Sequence, residues 1–494
     1  MPASGTLETK EHDIQGGNEM KLVGYSHCRM LSARVDQIRA ELNAGNKFTF
    51  SDVICVDVSD GQAAGIQPLT FARQLIAACA LPQLMKEGRL PSDVVSRARL
   101  ILDHCHGSSV GSIMFKGISI IRQHVADYIC ERDGDQANIN DIFICSGVFH
   151  GATLVMNVLK ECINGKPPGA MTCMPQYVAF HHFFDEFGFH KILYYLDENN
   201  GWVHSISRMQ RSLDASRKFC EPRFLFVVNP ANPTATVLSA ESIMDIIRFS
   251  YQNNLIILAD EASSFTLSID SFHFTNHNIY TEHAPFHSFR KVMHKMADPW
   301  SNTQLITFNS LSKGIMAEDG LQCGYFEIVN LNGHDKKRLL KAVVELLPST
   351  LSQVALDCLV KPPQPGDPSY ELYQKEKNTI LESLKNRAEL VENTLNGIEG
   401  FYCSPVQGAL CAYPRVLLPQ RAIDKAESLG QEPSYFYASE LLEKKGVCVT
   451  PGSAFGQLPG TCHFRVTILP PMAKLLDMLD RIKNFHEEFT DQYK

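Results

Sequence analysis

Through the middle of the chain, short continuous apolar runs alternate with stretches in which apolar side chains recur every three or four positions. A run of four to eight apolar residues fits a buried strand, and a period near 3.6 fits a helix with one buried face. Strands are predicted at 141–145, 170–174, 191–196, 223–228, 255–261, 304–308 and 323–329, with helices at 150–163, 177–187 and 241–252. Strands separated by helices imply crossover connections, and so an α/β fold built on a mainly parallel sheet. Past residue 347 the pattern changes: Lys361-Pro362-Pro363-Gln364-Pro365 interrupts it, and a long charged helix is expected from 370 to about 395. The expected organisation is a loose arm over residues 1–20, a large domain over 76–346, and a smaller domain assembled from 21–75 and 347–494.

Composition narrows the class. With 494 residues, 44% hydrophobic and 20% charged, the chain can bury more than one core. No apolar stretch reaches the roughly 20 residues that cross a bilayer. The first twenty residues are polar and of mixed charge, unlike a signal or transit peptide, so a cytoplasmic protein is expected. Fifteen cysteines without repeated spacing fit reduced thiols. A net charge of −8 argues against nucleic acid as a partner. His104-Cys105-His106 invites a zinc reading, but no second ligand pair has matching spacing, so a turn before Gly107 is expected and no metal.

Three of the predicted strands end in residues with chemistry. Ser310-Leu311-Ser312-Lys313-Gly314 follows the run at 304–308, Asn229-Pro230-Ala231-Asn232-Pro233-Thr234 follows 223–228, and Asp260-Glu261 closes the run at 255–261. In an open α/β sheet, ligands bind outside the carboxyl ends of the strands, so the three segments meet in one crevice. There Lys313 can lose its proton and condense with an aldehyde, the chemistry of a pyridoxal phosphate enzyme. Asp260 can keep a pyridine nitrogen protonated, and Asn232 can donate to the ring's phenolic oxygen. Singly, each is an ordinary helix cap, turn residue or surface cation. Jointly, in this order and spacing, they are not.

These segments resemble those of the alanine aminotransferases, fold-type-I pyridoxal phosphate enzymes. The likeness runs from about Tyr25 to the C-terminus. It includes Ile66-Gln67-Pro68-Leu69-Thr70-Phe71-Ala72-Arg73-Gln74, Met174-Pro175-Gln176-Tyr177, Phe286-His287-Ser288-Phe289-Arg290-Lys291-Val292, and Val449-Thr450-Pro451-Gly452-Ser453-Ala454-Phe455-Gly456-Gln457 leading to His463-Phe464-Arg465-Val466-Thr467. The resemblance implies a seven-stranded sheet, a smaller α+β domain, a homodimer, and an amino acid and a 2-oxo acid as substrates. It implies that Tyr177 stacks on the cofactor ring, that Ser310 and Ser312 lie near its phosphate, and that Arg465 grips the substrate's α-carboxylate through its planar fork.

The chain departs from the family around the phosphate. Ser263 stands where a tyrosine would donate to the phenolic oxygen, and Gln322 where an arginine would hold the phosphate. The turn expected to wrap the phosphate reads Gly147-Val148-Phe149, without its hydroxyl, and Gly111-Ser112-Ile113-Met114 lacks the tyrosine that would reach the neighbouring subunit. His150 and Lys116 lie in the altered loops and could bring positive charge. Three functions are compatible with these residues: a transaminase, a pyridoxal phosphate enzyme with an altered substrate, and a paralogue that keeps the fold as a scaffold or regulator. The complete set Lys313, Asp260, Asn232, Tyr177 and Arg465 favours the first.

Overall fold

The computed structural model describes residues 23–57, 60–105, 116–262, 284–343 and 347–494. Seven strands form one sheet in the order Ile142–Cys145, Gly324–Val329, Leu305–Ser310, Ile256–Asp260, Glu221–Val228, Pro168–Met174 and His190–Tyr195. Only Gly324–Val329 runs antiparallel to its neighbours. Parallel neighbours need a crossover, and Val178–Glu186, Ile206–Ser216 and Ala240–Gln252 supply three.

The strands are apolar at nearly every position because both faces of the sheet are covered. Phe224, Phe226 and Val228 pack with Phe180, Phe184 and Val155 on one face. Leu225 and Val227 pack with Met209, Ile243 and Ile246 on the other. The register sets Val228 beside Asp260 and Asp260 beside Phe308, so the ends of three strands lie side by side, as the crevice argument requires.

The predicted strands and helices agree with those observed to within a few residues. The helix expected from 150 is Val148–Leu159. It starts early because Gly147, at φ 85°, takes the cap position in a conformation that suits glycine.

A second core gathers Leu384, Ala388, Val391 and Leu395 against Leu441, Phe464, Val466, Leu475 and Met478. They come from the long helix Tyr370–Asn396 and the C-terminal elements. A further cluster joins segments on both sides of residues 75 and 347. Leu69, Phe71 and Ala72, and the helix Thr350–Val360 through Val354, Leu356 and Cys358, lie in one cluster with Ile142 and Tyr325 of the large sheet. The long helix spans both clusters, with Tyr373 and Leu381 in this one and Leu384 onward in the other.

Residues 1–20, Ser263 and Gly111-Ser112-Ile113-Met114 lie outside the described residues. Among those described, no helix is long and apolar enough to cross a membrane, and no group of three or more His, Cys, Asp or Glu is placed to hold a metal. His104 caps the helix Ser92–Asp103, its Nδ1 2.8 Å from the Leu100 carbonyl oxygen.

Candidate active site

Asp260 is the last residue of its strand and is buried. Its Oδ1 accepts the Ala262 N–H at 3.0 Å, the local turn-forming contact its position suggested. Burial, only partly offset by that hydrogen bond, pushes its pKa up to about 6. The Asn229 N–H donates to the Asp260 carbonyl at 2.9 Å, which ties the Asn229 to Pro233 turn to the same edge.

Lys313 follows Leu305–Ser310 directly. Its Nζ donates to both carboxylate oxygens of Asp319, at 3.0 and 3.2 Å. Burial raises the Asp319 pKa, and the lysine's charge pulls it back. Ser310 sits at the hub of this loop: its Oγ lies 3.1 Å from the Ser312 hydroxyl and accepts the Ser312 N–H at 3.2 Å. A side chain built on Gly147 would come within 3.7 Å of Ser310 Oγ, so the 147 turn and the lysine loop face each other.

Val148 is buried, so only its backbone N–H can face a ligand there. The first N–H groups of its helix have no intrahelical acceptor and make an anion site. His150 Nδ1 accepts the Ser146 N–H at 3.0 Å, while its Nε2 is buried without a hydrogen-bond partner. Phe149, at the position where a hydroxyl was lost, turns outward and stacks on Phe180 with ring centroids 4.8 Å apart. Tyr177, capping the helix Val178–Glu186, joins this group 6.4 Å from Phe149.

Arg465 lies on the strand Phe464–Thr467 and is buried. Nη1 donates to Asn232 Oδ1 at 3.1 Å and Nη2 to the Asp57 carbonyl at 2.7 Å. The guanidinium carbon sits 5.1 Å from the centre of the Phe455 ring, and Nε is buried with no partner. Two predicted residues, Asn232 and Arg465, are thus in direct contact. Gln322 is the exception: it is exposed at φ 41°, closing the short turn Asp319–Leu321.

Sequence reasoning missed Asp319 and Asp57. Asp319 stands six residues after the lysine in a loop, a position that carries no signal of its own. Asp57 contributes a backbone carbonyl, for which no side-chain pattern exists.

Residues 107–482 match the family Aminotransferase class I and II. "Alanine aminotransferase 2-like" of Danio rerio is 40% identical over 497 residues, covering 100% of this chain and 88% of that protein. "Alanine aminotransferase 1" of Homo sapiens is 38% identical over 492 residues, covering 99% and 97%. Among solved structures, alanine aminotransferase from Pyrococcus furiosus superposes with a TM-score of 0.69 at 18% identity, over 94% of this chain and 98% of that one. An aminotransferase from Escherichia coli superposes with a TM-score of 0.68 at 18% identity, over 97% and 100%. At that identity the structures speak for the fold, of type I, while the full-length relatives speak for the family. A lysine just past one strand end, a buried aspartate at the end of the adjacent strand and a buried arginine are what that ancestry would leave, and the chain belongs to the class I and II aminotransferases, in the branch of the alanine aminotransferases.

Proposed function

We propose that this transaminase moves an amino group between L-alanine, or a similar small amino acid, and 2-oxoglutarate, with pyridoxal 5'-phosphate as cofactor, as a cytoplasmic homodimer. The names of the full-length relatives support the substrates. Fifteen free cysteines support a reducing compartment.

The residues present fit the cofactor. Asp260 has one oxygen on the Ala262 N–H, leaving Oδ2 for a protonated ring nitrogen, and a buried carboxyl with a raised pKa gains from a cationic partner. Tyr177 would cover the ring. Asn232 has its Oδ1 on Arg465 and its amide N–H groups for the phenolic oxygen. The N–H groups at Val148, the Ser310 and Ser312 hydroxyls and the orphaned His150 Nε2 suit a phosphate. When bound, the cofactor supplies an aldehyde carbon that exchanges amines and a cationic ring that draws electrons from the substrate Cα.

The chain's own work is to bind, orient and move a proton. Asp319 anchors the Lys313 Nζ through two hydrogen bonds. In its neutral form Nζ would supply the amine that holds the cofactor, and then the base that takes the proton from Cα and returns it. Arg465 orients the substrate by its carboxylate. The observation that carries this reading is its buried fork, braced by Asn232 and Asp57 with one N–H unpartnered. Following pyruvate and glutamate production from alanine and 2-oxoglutarate, against a panel of other amino acids, tests it. No turnover with any amino acid would overturn it.

Two predictions arise here. Arg465→Lys keeps a charge but loses the fork, so KM for both the amino acid and the oxo acid is expected to rise by about one to two powers of ten. Unchanged KM values would move Arg465 out of the substrate site. Gln322→Arg places a cation near the lysine loop and is expected to tighten cofactor binding by about one to two powers of ten, read by titrating cofactor-free protein at fixed ionic strength. An unchanged affinity would assign the phosphate charge to other groups.

A further inference from the structure

We propose that Cys55 and Cys448 form a hydroperoxide-sensitive dithiol, a modification site that closes reversibly to a disulfide beside the substrate-binding arginine. The strand Ile54–Cys55 pairs in parallel with Val447–Cys448, and Cys55 stands directly opposite Cys448. Backbone hydrogen bonds fix that register, from Ile54 N to the Gly446 carbonyl at 2.8 Å and from Val56 N to the Cys448 carbonyl at 3.0 Å. Paired strands lie about 4.8 Å apart, within the roughly 4.4–6.8 Å that separates the Cα atoms of disulfides. The side chains of residues directly opposite in paired strands project to one face, so the two thiols lie side by side.

The two sulfurs are not equivalent. Cys55 is half-buried and Cys448 buried. Arg39 Nη2 lies 3.2 Å from Cys55 Sγ. The Cys448 thiol first, and the Arg39 charge after it, hold the Cys55 thiol below its ordinary range, while the same contact and burial push Cys448 well up. Cys55 is therefore the nucleophile and Cys448 the resolving thiol. Nearby Cys28 is pushed up to about 11 by burial, which leaves it protonated.

The chemistry balances. The Cys55 thiolate attacks the outer oxygen of a hydroperoxide; the S–O bond forms, the O–O bond breaks, and the departing oxygen takes a proton to leave as alcohol or water. Cys448 then gives up its proton and attacks the sulfenic sulfur; the S–S bond forms, the S–O bond breaks, and water leaves. Two thiols lose two electrons and two protons to one peroxide.

This closure reaches the active site through the backbone. Val56 O accepts the Thr467 N–H at 2.9 Å, and Asp57 O accepts from Arg465 Nη2 at 2.7 Å. Drawing Cys55 toward Cys448 shifts the strand that carries both acceptors. That second half of the inference rests on the role of Arg465 given above, whereas the dithiol itself does not.

The test treats the holoenzyme with hydrogen peroxide, blocks remaining thiols, and maps linked peptides by non-reducing mass spectrometry. A Cys55–Cys448 link that dithiothreitol removes is expected, together with a rise of about tenfold in KM for amino acid and oxo acid, the loss expected for one charge-assisted hydrogen bond, at little-changed kcat. Cys448→Ser should stop at the sulfenic acid, trapped on Cys55 by a 1,3-diketone, and Cys55→Ser should give neither product and keep its KM under peroxide. Unlinked and unmodified Cys55 after peroxide has oxidised other thiols would overturn the site. A link that forms while KM stays constant would overturn its coupling to Arg465 and leave the assignment of substrate binding to be judged by Arg465→Lys alone.

Discussion

Lys313→Ala is expected to lower amino-group transfer by at least about four powers of ten, because on the proposed mechanism one side chain supplies both the amine that holds the cofactor and the base that moves the Cα proton. The loop shows how the wild-type residue is kept ready. Asp319 draws Nζ with two hydrogen bonds, and Ser310 stiffens the turn through Ser312. Two other lysines are engaged elsewhere: Lys291 is bound to the Arg132 carbonyl, and Lys116 lies over the Phe143 ring. A small exogenous amine should restore part of the lost proton transfer but none of the covalent attachment. Stopped-flow rates for the first half-reaction, with and without the amine, measure both. Transfer by the variant at the parental rate would remove Lys313 from the mechanism.

Asp260→Asn is expected to push stability and activity in opposite directions. Burial raises the Asp260 pKa from the ordinary 3.8 to about 6, so the folded chain holds this proton more tightly than the unfolded one. The stability this confers is complete below about pH 3.8 and is lost as pH rises toward 6; above that, the buried carboxylate costs roughly 3 kcal/mol. Asparagine keeps the acceptor for the Ala262 N–H and removes the charge. Cofactor-free Asp260→Asn should therefore melt a few degrees higher than the parent at pH 7.5, with the gap closing near pH 4. Activity should fall by about two to four powers of ten, since a neutral amide cannot keep a ring nitrogen protonated. Calorimetry of the cofactor-free proteins and rates of the loaded ones provide the two readings. A parental melting temperature at pH 7.5 would mean that Asp260 carries no burial cost, and full activity would mean that it faces no ring nitrogen.

The sheet was legible because its strands are continuous apolar runs ending in polar residues, as at Ile256–Asp260 and Leu305–Ser310. Helices with one buried face were equally plain: Ala240–Gln252 lies within one residue of its expected start. The partition between the cores was not legible. Thr350–Val360 is buried nearly all round, so its sequence carries no stripe to say which neighbour it meets. Within the site, Lys313, Asp260 and Asn232 could be read from their places at strand ends, whereas Arg465 and Tyr177 needed the family resemblance. Asp319 looked like any solvated loop carboxylate. A position at φ 41° such as Gln322 is invisible to patterns of polarity.

Arg465 is braced by residues 57 and 232, so its fork is shared among three stretches of chain that are hundreds of residues apart. During synthesis, the strand ends that carry Asp260 and Lys313 can come together long before residue 465 has left the ribosome. The chain therefore passes through a stage in which the proposed cofactor site is in place while the grip on the substrate's carboxylate has yet to arrive. On the role proposed for Arg465, hold on the substrate's carboxylate is the last property this polypeptide acquires, and the first it would forfeit if its C-terminal third came loose.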